Sequence, residues 1–288
     1  MPNPAIVEAF FDEDTNTVTY LVYDHIKGSG VIIDPVLNFF VDAGRTSTEN
    51  ADLIIARCKA LELTIEYIFE THAHADHISA AQYLKENVGG LVAIGSHITE
   101  TQAIFKELYN LGNDFIADGS QFDQLLDDGD CLVVGDMKIS IIFTPGHTPA
   151  CISYHIGEAV FVGDTLFMPD FGSARCDFPG GSAQTLYSSI QKILSLSDET
   201  QIYTGHDYGP GGRDIAWQSS VKVQKETNIH VGGGVSQDDF VKLRQARDSG
   251  LNPPKLLLPS IQINIRAGAK PKPENNSTRY LKIPLDIL

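Results

Sequence analysis

Three histidines and one aspartate stand within six residues of this chain, directly after an apolar segment. Residues 65–69 read as a buried β-strand, and Thr-His-Ala-His-Ala-Asp-His follows at positions 71–77. Because side chains alternate along a strand, His72 and His74 are expected to project to the same side. A turn into a helix brings Asp76 and His77 toward the same pocket. A solvated loop explains one histidine, but this set favours a transition-metal site.

Three further candidate ligands each follow a glycine at the end of a predicted strand. They are His147, Asp164 and His206. Glycine lets the backbone approach a ligand closely, because it has no side chain. Ligand-type residues at the ends of four separate strands are hard to explain by packing, since a buried charge needs a partner. We therefore predict that all seven residues contribute to one metal centre.

The rest of the chain alternates short strands with helices and contains no internal repeat. Strands are predicted at 18–23, 31–34, 65–69, 91–94, 201–204 and repeatedly between 131 and 164; helices are predicted at 54–61, 80–84, 98–111 and 186–196. This order indicates an α+β fold of two mixed β-sheets with helices outside them. We interpret 1–288 as a single domain with a core over about 1–210. A C-terminal extension over about 211–288 is predicted to contain two helical stretches and a Pro-rich tail.

Composition excludes several classes of partner. The formal net charge is −16, so we expect no nucleic acid and no anionic membrane surface as partner. The four cysteines form no Cys-x-x-Cys pair, which is typical of a reducing compartment. We also find neither a signal peptide nor an apolar stretch that reaches membrane-spanning length. A cytoplasmic location is the resulting expectation.

The motifs quoted above resemble the metallo-β-lactamase superfamily. The matching pieces are Thr-His-x-His-x-Asp-His, the Pro-Gly-His-Thr loop, Gly-Asp at a strand end and a late Gly-His. The resemblance implies an αββα sandwich of the metallo-β-lactamase fold, with the metal site along one edge. In dinuclear members, one metal is held by the counterparts of His72, His74 and His147. The second metal is held by the counterparts of Asp76, His77 and His206, with that of Asp164 bridging.

A closer resemblance is to the persulfide dioxygenase group, which includes the mitochondrial ethylmalonic-encephalopathy protein and bacterial relatives. It extends through TPGHTPACISY, FVGDTLF and the tail at 258–268. This resemblance implies one Fe(II) per chain, held by His72, His147 and Asp164. His74, Asp76, His77 and His206 would then surround the site without binding metal. Glutathione persulfide and dioxygen are the implied substrates, and sulfite the product.

Two departures from that group resemble its bacterial β-lactamase hydrolase-like branch. Residues 174–178 read Ala-Arg-Cys-Asp-Phe where the group has Gly-Arg-Thr-Asp-Phe. The segment 98–124, called the excursion below, is also longer than in the compact dioxygenases. The alternative is therefore a zinc hydrolase of glyoxalase II or β-lactamase-like type, with one or two Zn(II) per chain. It would act on a thioester or another acyl compound, with Asp76 as a catalytic ligand. Resemblance of the C-terminal half favours the dioxygenase.

Several residues near these motifs keep two interpretations. Arg175 either anchors a glutathione carboxylate or forms an ion pair with Asp177, and Tyr208 either contacts substrate or packs. Cys176 is either a redox participant or a buried thiol. The excursion at 98–124 is either a lid or a subunit contact, and a homodimer remains open by analogy. The remaining histidines are assigned to surface or packing: His25, His97, His155 and His230.

Overall fold

The strand Thr17–Tyr23 is apolar on both faces because it lies between two hydrophobic cores. In the computed structural model, which describes residues 5–287, Tyr20 and Val22 contribute to one core. Leu21 and Tyr23 alternate with them and contribute to the core on the other face. The two-residue period of a strand thus divides this segment between two layers.

The first sheet carries the strand that leads into the histidine-rich segment. The strands of the N-terminal half are β1 (Ile6–Asp12), β2 (Thr17–Tyr23), β3 (Ser29–Ile33), β4 (Val36–Phe40), β5 (Arg45–Ser47), β6 (Thr64–Phe69), β7 (Ile78–Ser79), β8 (Leu91–Gly95) and β9 (Gln124–Leu126). Six of them form a sheet in the order β1-β2-β3-β6-β8-β9. β1 to β3 pair antiparallel, whereas β3, β6, β8 and β9 pair parallel. β5, β4 and β7 form a small sheet beside it.

The second sheet contains the strands that precede the later ligands. These are β10 (Cys131–Val134), β11 (Met137–Phe143), β12 (Ile152–Ile156), β13 (Ala159–Phe161), β14 (Gln201–Tyr203) and β15 (Gln218–Ser220). They are ordered β10 to β15, and only β13 and β14 pair parallel. Both large sheets are therefore mixed, as the strand pattern predicts.

Helices cover the outer face of each sheet. They are α1 (Glu49–Ala60), α2 (Ala81–Val88), α3 (Ile98–Leu108), α4 (Ala183–Leu194), α5 (Val221–Thr227), α6 (Gln237–Asp248) and α7 (Leu257–Asn264). α1, α2, α3 and α7 pack on the first sheet, and α4, α5 and α6 on the second. A third core lies between the two sheets. The predicted αββα sandwich is confirmed.

The C-terminal segment differs from its prediction. It contains three α-helices rather than two, and β15 extends the edge of the second sheet. Pro259 belongs to the predicted Pro-rich tail but is part of a helix. It lies in the first turn of α7, where a backbone N–H has no intrahelical partner and proline is tolerated. Ile261 and Ile263 of this helix are buried in the core of the first sheet, so this part of the chain is not a loose appendage.

The length and hydropathy of the helices within residues 5–287 can be compared with what a membrane-spanning helix requires. Among them, none combines the length and the apolar character needed to cross a bilayer.

Candidate metal centre

The histidine-rich loop is anchored from behind by Asp34, which directly follows β3. The Asp34 carboxylate accepts hydrogen bonds from the Thr71 backbone N–H at 2.7 Å and the Thr71 hydroxyl at 2.8 Å. It also lies 3.0 Å from His74 Nε2. Both partners are buried, so these bonds hold the loop in one conformation. Asp34 was not predicted, although an acid at the end of an apolar strand is the signal that revealed Asp164.

The structure brings the seven predicted ligands together in two adjoining groups. In each group, one candidate ligand atom per residue lies within 4.8 Å of every other. The first group is His72, His147 and Asp164, and the second is His74, Asp76, His77 and His206. His74 lies between the groups, because its ring centroid is 4.0 Å from that of His72 and 4.1 Å from that of His77. Asp164 links the groups, because its Oδ1 lies 3.3 Å from His206 Nε2.

The buried polar atoms of this centre fit a metal ion. Within residues 5–287, the following atoms are buried without a hydrogen-bond partner: His72 Nε2, His74 Nδ1, His77 Nε2, His206 Nε2, Asp76 Oδ2 and Asp164 Oδ1. A buried polar atom without a partner is costly, and a metal ion satisfies several at once. The donor set of imidazoles and carboxylates suits zinc or a divalent iron.

In His147 and His206, Nδ1 contacts a backbone carbonyl oxygen, which determines which ring nitrogen carries the proton. His147 Nδ1 lies 2.8 Å from the Arg175 carbonyl oxygen, and His206 Nδ1 lies 3.1 Å from that of Asn16. A carbonyl only accepts, so each Nδ1 carries the proton and each Nε2 is free to bind a metal. Such outer hydrogen bonds orient metal-binding histidines in proteins generally.

Burial shapes the electrostatics of the centre. Burial, together with neighbouring His74 and His147, lowers the pKa of His72 well below its ordinary value. Burial also lowers the pKa of His77. Both rings are therefore held neutral, the form that binds a metal. Burial opposes ionisation of Asp76, but His206, His77 and His74 together outweigh it and lower the pKa of this carboxyl group well below its usual range.

Asn264, the last residue of α7, clamps the histidine-rich loop from the C-terminal part of the chain. Its amide Nδ2 donates to the carbonyl oxygens of His74 at 2.8 Å and His77 at 2.7 Å. Its Oδ1 accepts from the Ser79 N–H at 2.9 Å. Both N–H groups and the carbonyl oxygen of this buried amide are therefore bonded to the segment 74–79. Sequence reasoning missed Asn264, although it lies in the tail that carried the resemblance.

A cavity of about 900 Å³ opens over the centre and is lined by Asp76, His147 and Asp164. Arg175 and Tyr208 also line it. No described residue of the 98–124 excursion does, and the side chains that this segment buries join the core of the first sheet. A lid at that position is therefore not supported by the structure.

Arg175 forms the ion pair that was its alternative interpretation. Two guanidinium nitrogens each lie 2.6 Å from a different Asp177 oxygen, and a third donates to the Asn252 carbonyl at 2.7 Å. The N–H donors of the Arg175 guanidinium are thus largely engaged in hydrogen bonds to Asp177 and Asn252. Cys176 is buried, and burial raises the pKa of its thiol to about 12, so it is not poised as a thiolate.

Two of the remaining histidines differ in surroundings. His230 is buried and accepts a hydrogen bond from the Ser173 N–H at 2.9 Å, which is a packing role. His25 is exposed, in agreement with its assignment to the surface, and it has two acidic neighbours, Asp24 and Asp136. The Asp24 carboxylate already accepts hydrogen bonds from the backbone N–H groups of His25, Ser29 and Asp136, so this cluster has a structural role.

Comparison with known families agrees with this geometry. The family model described as the Metallo-beta-lactamase superfamily matches residues 13–206. The chain belongs to the metallo-beta-lactamase superfamily. That match covers the strands from β2 to β14 and includes all seven candidate ligands of the centre.

Similar superfamily members carry several different names. A probable metallo-hydrolase of Burkholderia pseudomallei is 52% identical over 98% of this chain and 99% of its own length. A Beta-lactamase hydrolase-like protein of Xylella fastidiosa is 51% identical over 98% of this chain, which spans 65% of that protein. Glyoxylase B2 of Dictyostelium discoideum is 47% identical over 100% of this chain and 99% of its own length.

The persulfide dioxygenase group is also among the similar proteins. Human mitochondrial Persulfide dioxygenase ETHE1 is 29% identical over 93% of this chain and 90% of its own length. The crystal structure of ETHE1 from Myxococcus xanthus superposes with a TM-score of 0.73 and 31% identity, covering 92% of this chain and 100% of that one. The resemblance to persulfide dioxygenases and to the hydrolase-like branch is thus confirmed, and the chain is a metal-dependent enzyme of this fold.

Proposed function

We propose that this enzyme is a mononuclear non-heme Fe(II) dioxygenase that oxidises glutathione persulfide, or a related persulfide, to sulfite. The observation that carries the proposal is the compact group of His72, His147 and Asp164. Two histidines and one carboxylate are the ligand set of many non-heme iron oxygenases. The similarity to human persulfide dioxygenase over nearly the whole chain supports the same assignment.

Iron held by these three residues would supply the redox chemistry and the open coordination positions that joining dioxygen to a persulfide sulfur requires. In the balanced reaction, glutathione persulfide, dioxygen and water give glutathione, sulfite and protons. The sulfur–sulfur bond breaks, the persulfide loses four electrons, and dioxygen gains them.

The chain's own residues orient this chemistry. The Arg175 carbonyl fixes the ring of His147, and the Thr71 hydroxyl lies 3.0 Å from His72 Nδ1. Phe167 and Phe178 are among the aromatic residues that line the cavity beside the ligands. Their rings give the cavity wall an apolar surface beside the ligands, which suits the sulfur end of the proposed substrate.

A dinuclear zinc hydrolase is the second candidate. Its supporting observation is that the second group, His74, Asp76, His77 and His206, is complete as a ligand set. The relatives named as a probable metallo-hydrolase and as Glyoxylase B2 favour it as well. A pair of zinc ions would lower the pKa of a bound water and polarise the carbonyl of a thioester, with Asp76 as ligand and orienting group.

Metal analysis combined with two activity assays separates the candidates. We expect protein purified without oxygen to contain about one iron per chain, to consume dioxygen on glutathione persulfide and to release sulfite. His147→Ala is expected to abolish oxygen uptake, whereas His206→Ala, which removes a member of the second group, only weakens it. Two zinc ions per chain, thioester cleavage and no oxygen uptake would refute the dioxygenase assignment.

A further inference from the structure

Arg175 and Cys176 share a peptide group that is hydrogen-bonded at both of its polar atoms. The Arg175 carbonyl oxygen lies 2.8 Å from His147 Nδ1, and the Cys176 N–H donates to Asp248 Oδ2 at 2.9 Å. Because the C=O and the N–H of a trans peptide point in opposite directions, the histidine and the carboxylate lie on opposite sides of one planar unit. A candidate metal ligand is therefore connected, through a single peptide group, to a carboxylate at the end of α6.

The position of Asp248 is unfavourable for an acidic side chain by local criteria. It ends α6, where the partial negative charge of the helix dipole disfavours a carboxylate. It is also only 5% exposed, and a buried charge needs a partner. That partner is Arg244, one turn earlier and itself buried, whose Nη2 lies 2.5 Å from Asp248 Oδ1. The ion pair engages only this oxygen, so Oδ2 is left for the Cys176 N–H.

A charged acceptor on the N–H side of a peptide strengthens the hydrogen bond on its carbonyl side. A hydrogen bond to a carboxylate is stronger than one to a neutral acceptor, and hydrogen bonds in a chain polarise one another. Asp248 therefore draws the Cys176 N–H toward itself and makes the Arg175 carbonyl oxygen a better acceptor for the His147 Nδ1–H. A better acceptor at Nδ1 increases the electron density at Nε2, the nitrogen that is free to bind a metal.

We propose that Asp248 is a positioning residue of the metal centre, which acts on His147 through the peptide group of Arg175 and Cys176. It holds that carbonyl in place against Nδ1 and raises the donor strength of Nε2. A carboxylate that accepts directly from a metal-binding histidine has the same effect. The proposal rests on the proposed function to the extent that His147 binds a metal, which the dioxygenase and the hydrolase candidates share.

Zinc, which is diamagnetic, is the probe for this role in the full-length protein. Asp248→Asn keeps an acceptor for the Cys176 N–H but removes the charge. We expect the His147 Nδ1–H resonance of the zinc-loaded variant to move upfield. Zinc affinity should fall about tenfold, the lower end of the usual loss when a group that orients a metal ligand is removed. Asp238→Asn, the same substitution at an exposed position of the same helix, is the matched control and should change neither measurement.

Arg244→Gln separates this role from a contribution to stability. It breaks the same buried ion pair, so it should lower the urea midpoint of unfolding as Asp248→Asn does. It leaves the Asp248 carboxylate on the Cys176 N–H, so we expect the His147 resonance to stay in place and zinc affinity to stay within about threefold of the unchanged protein. Equal losses of zinc affinity in both variants would show that the ion pair only supports the fold, and would overturn the proposal.

Measurements on the unchanged protein decide the question if Asp248→Asn does not fold. Scalar couplings across hydrogen bonds are expected from the Cys176 nitrogen to the Asp248 carboxyl carbon, and from His147 Nδ1 to the Arg175 carbonyl carbon. The absence of either coupling overturns the proposal. A His147 ring whose resonances do not respond to zinc refutes it as a ligand, and the proposal with it. Zinc binding with both couplings but no oxygen uptake by the iron-loaded protein would instead refute the dioxygenase assignment and leave the role of Asp248 standing.

Discussion

Replacing Asn264 with alanine is expected to weaken both the fold and the metal centre. The side chain is 4% exposed and makes three hydrogen bonds, to His74, His77 and Ser79. Those partners are 185 to 190 positions away in the chain, so no local structure replaces them. Alanine leaves two carbonyl groups and one N–H of the metal-binding loop without these bonds.

The magnitude follows from those three bonds. A buried hydrogen bond contributes about 1 kcal/mol net, and a partner that is left unsatisfied adds to the cost. We therefore expect Asn264→Ala to lower the free energy of unfolding of the metal-free protein by about 3–4 kcal/mol. Metal affinity should fall about 10–100-fold, as is usual when a residue that orients metal ligands is removed.

The assay pairs urea unfolding of the metal-free protein with metal titration against a chromophoric chelator. Ser260→Ala is the matched control, because Ser260 lies on the same helix and its buried hydroxyl has no hydrogen-bond partner among the described residues. This control should change neither measurement appreciably. Asn264→Asp has nearly the shape of asparagine but lacks both N–H donors, so we expect a loss at least as large as that of Asn264→Ala.

The clamp would be refuted if Asn264→Ala lost less than about 1 kcal/mol of stability. Metal affinity in that variant within about twofold of Ser260→Ala would refute its role at the metal centre, whatever happened to stability. A loss in Asn264→Ala that Asn264→Asp does not share would attribute the effect to packing rather than to hydrogen bonding.

Two further predictions concern other parts of the structure. Burial lowers the pKa of His230 to about 4, below its unfolded value of about 6.5. The unfolded chain then binds more protons at low pH, so stability should fall by about 1–2 kcal/mol between pH 7.5 and 5, a loss that His230→Gln should largely remove in thermal unfolding. Asp34→Asn should reduce metal affinity about 10–100-fold in chelator competition, because the amide no longer accepts at both oxygens from Thr71 and His74. Unchanged affinity would show that the loop holds its conformation without Asp34.

The strands and the ligand set could be predicted because their signals are local. Residues 65–69 are apolar, and the histidines that follow belong to the same short segment, so this segment alone identified His72 and His74. Side-chain alternation does not account for their placement, because β6 ends at Phe69 and residues 70–77 are not in a strand. His147, Asp164 and His206 each end a strand with its own apolar signal. The same reasoning was weaker after residue 212, where a proline inside α7 and the short strand β15 gave no clear periodicity.

The sequence by itself therefore determined the sandwich of two sheets and the seven residues that meet at its edge. Tertiary structure alone decided that Asp177 occupies Arg175 and that Asn264 clamps the loop. Periodicity describes neighbours in the chain, whereas each of these outcomes depends on which side chain fills the remaining space after distant elements have packed.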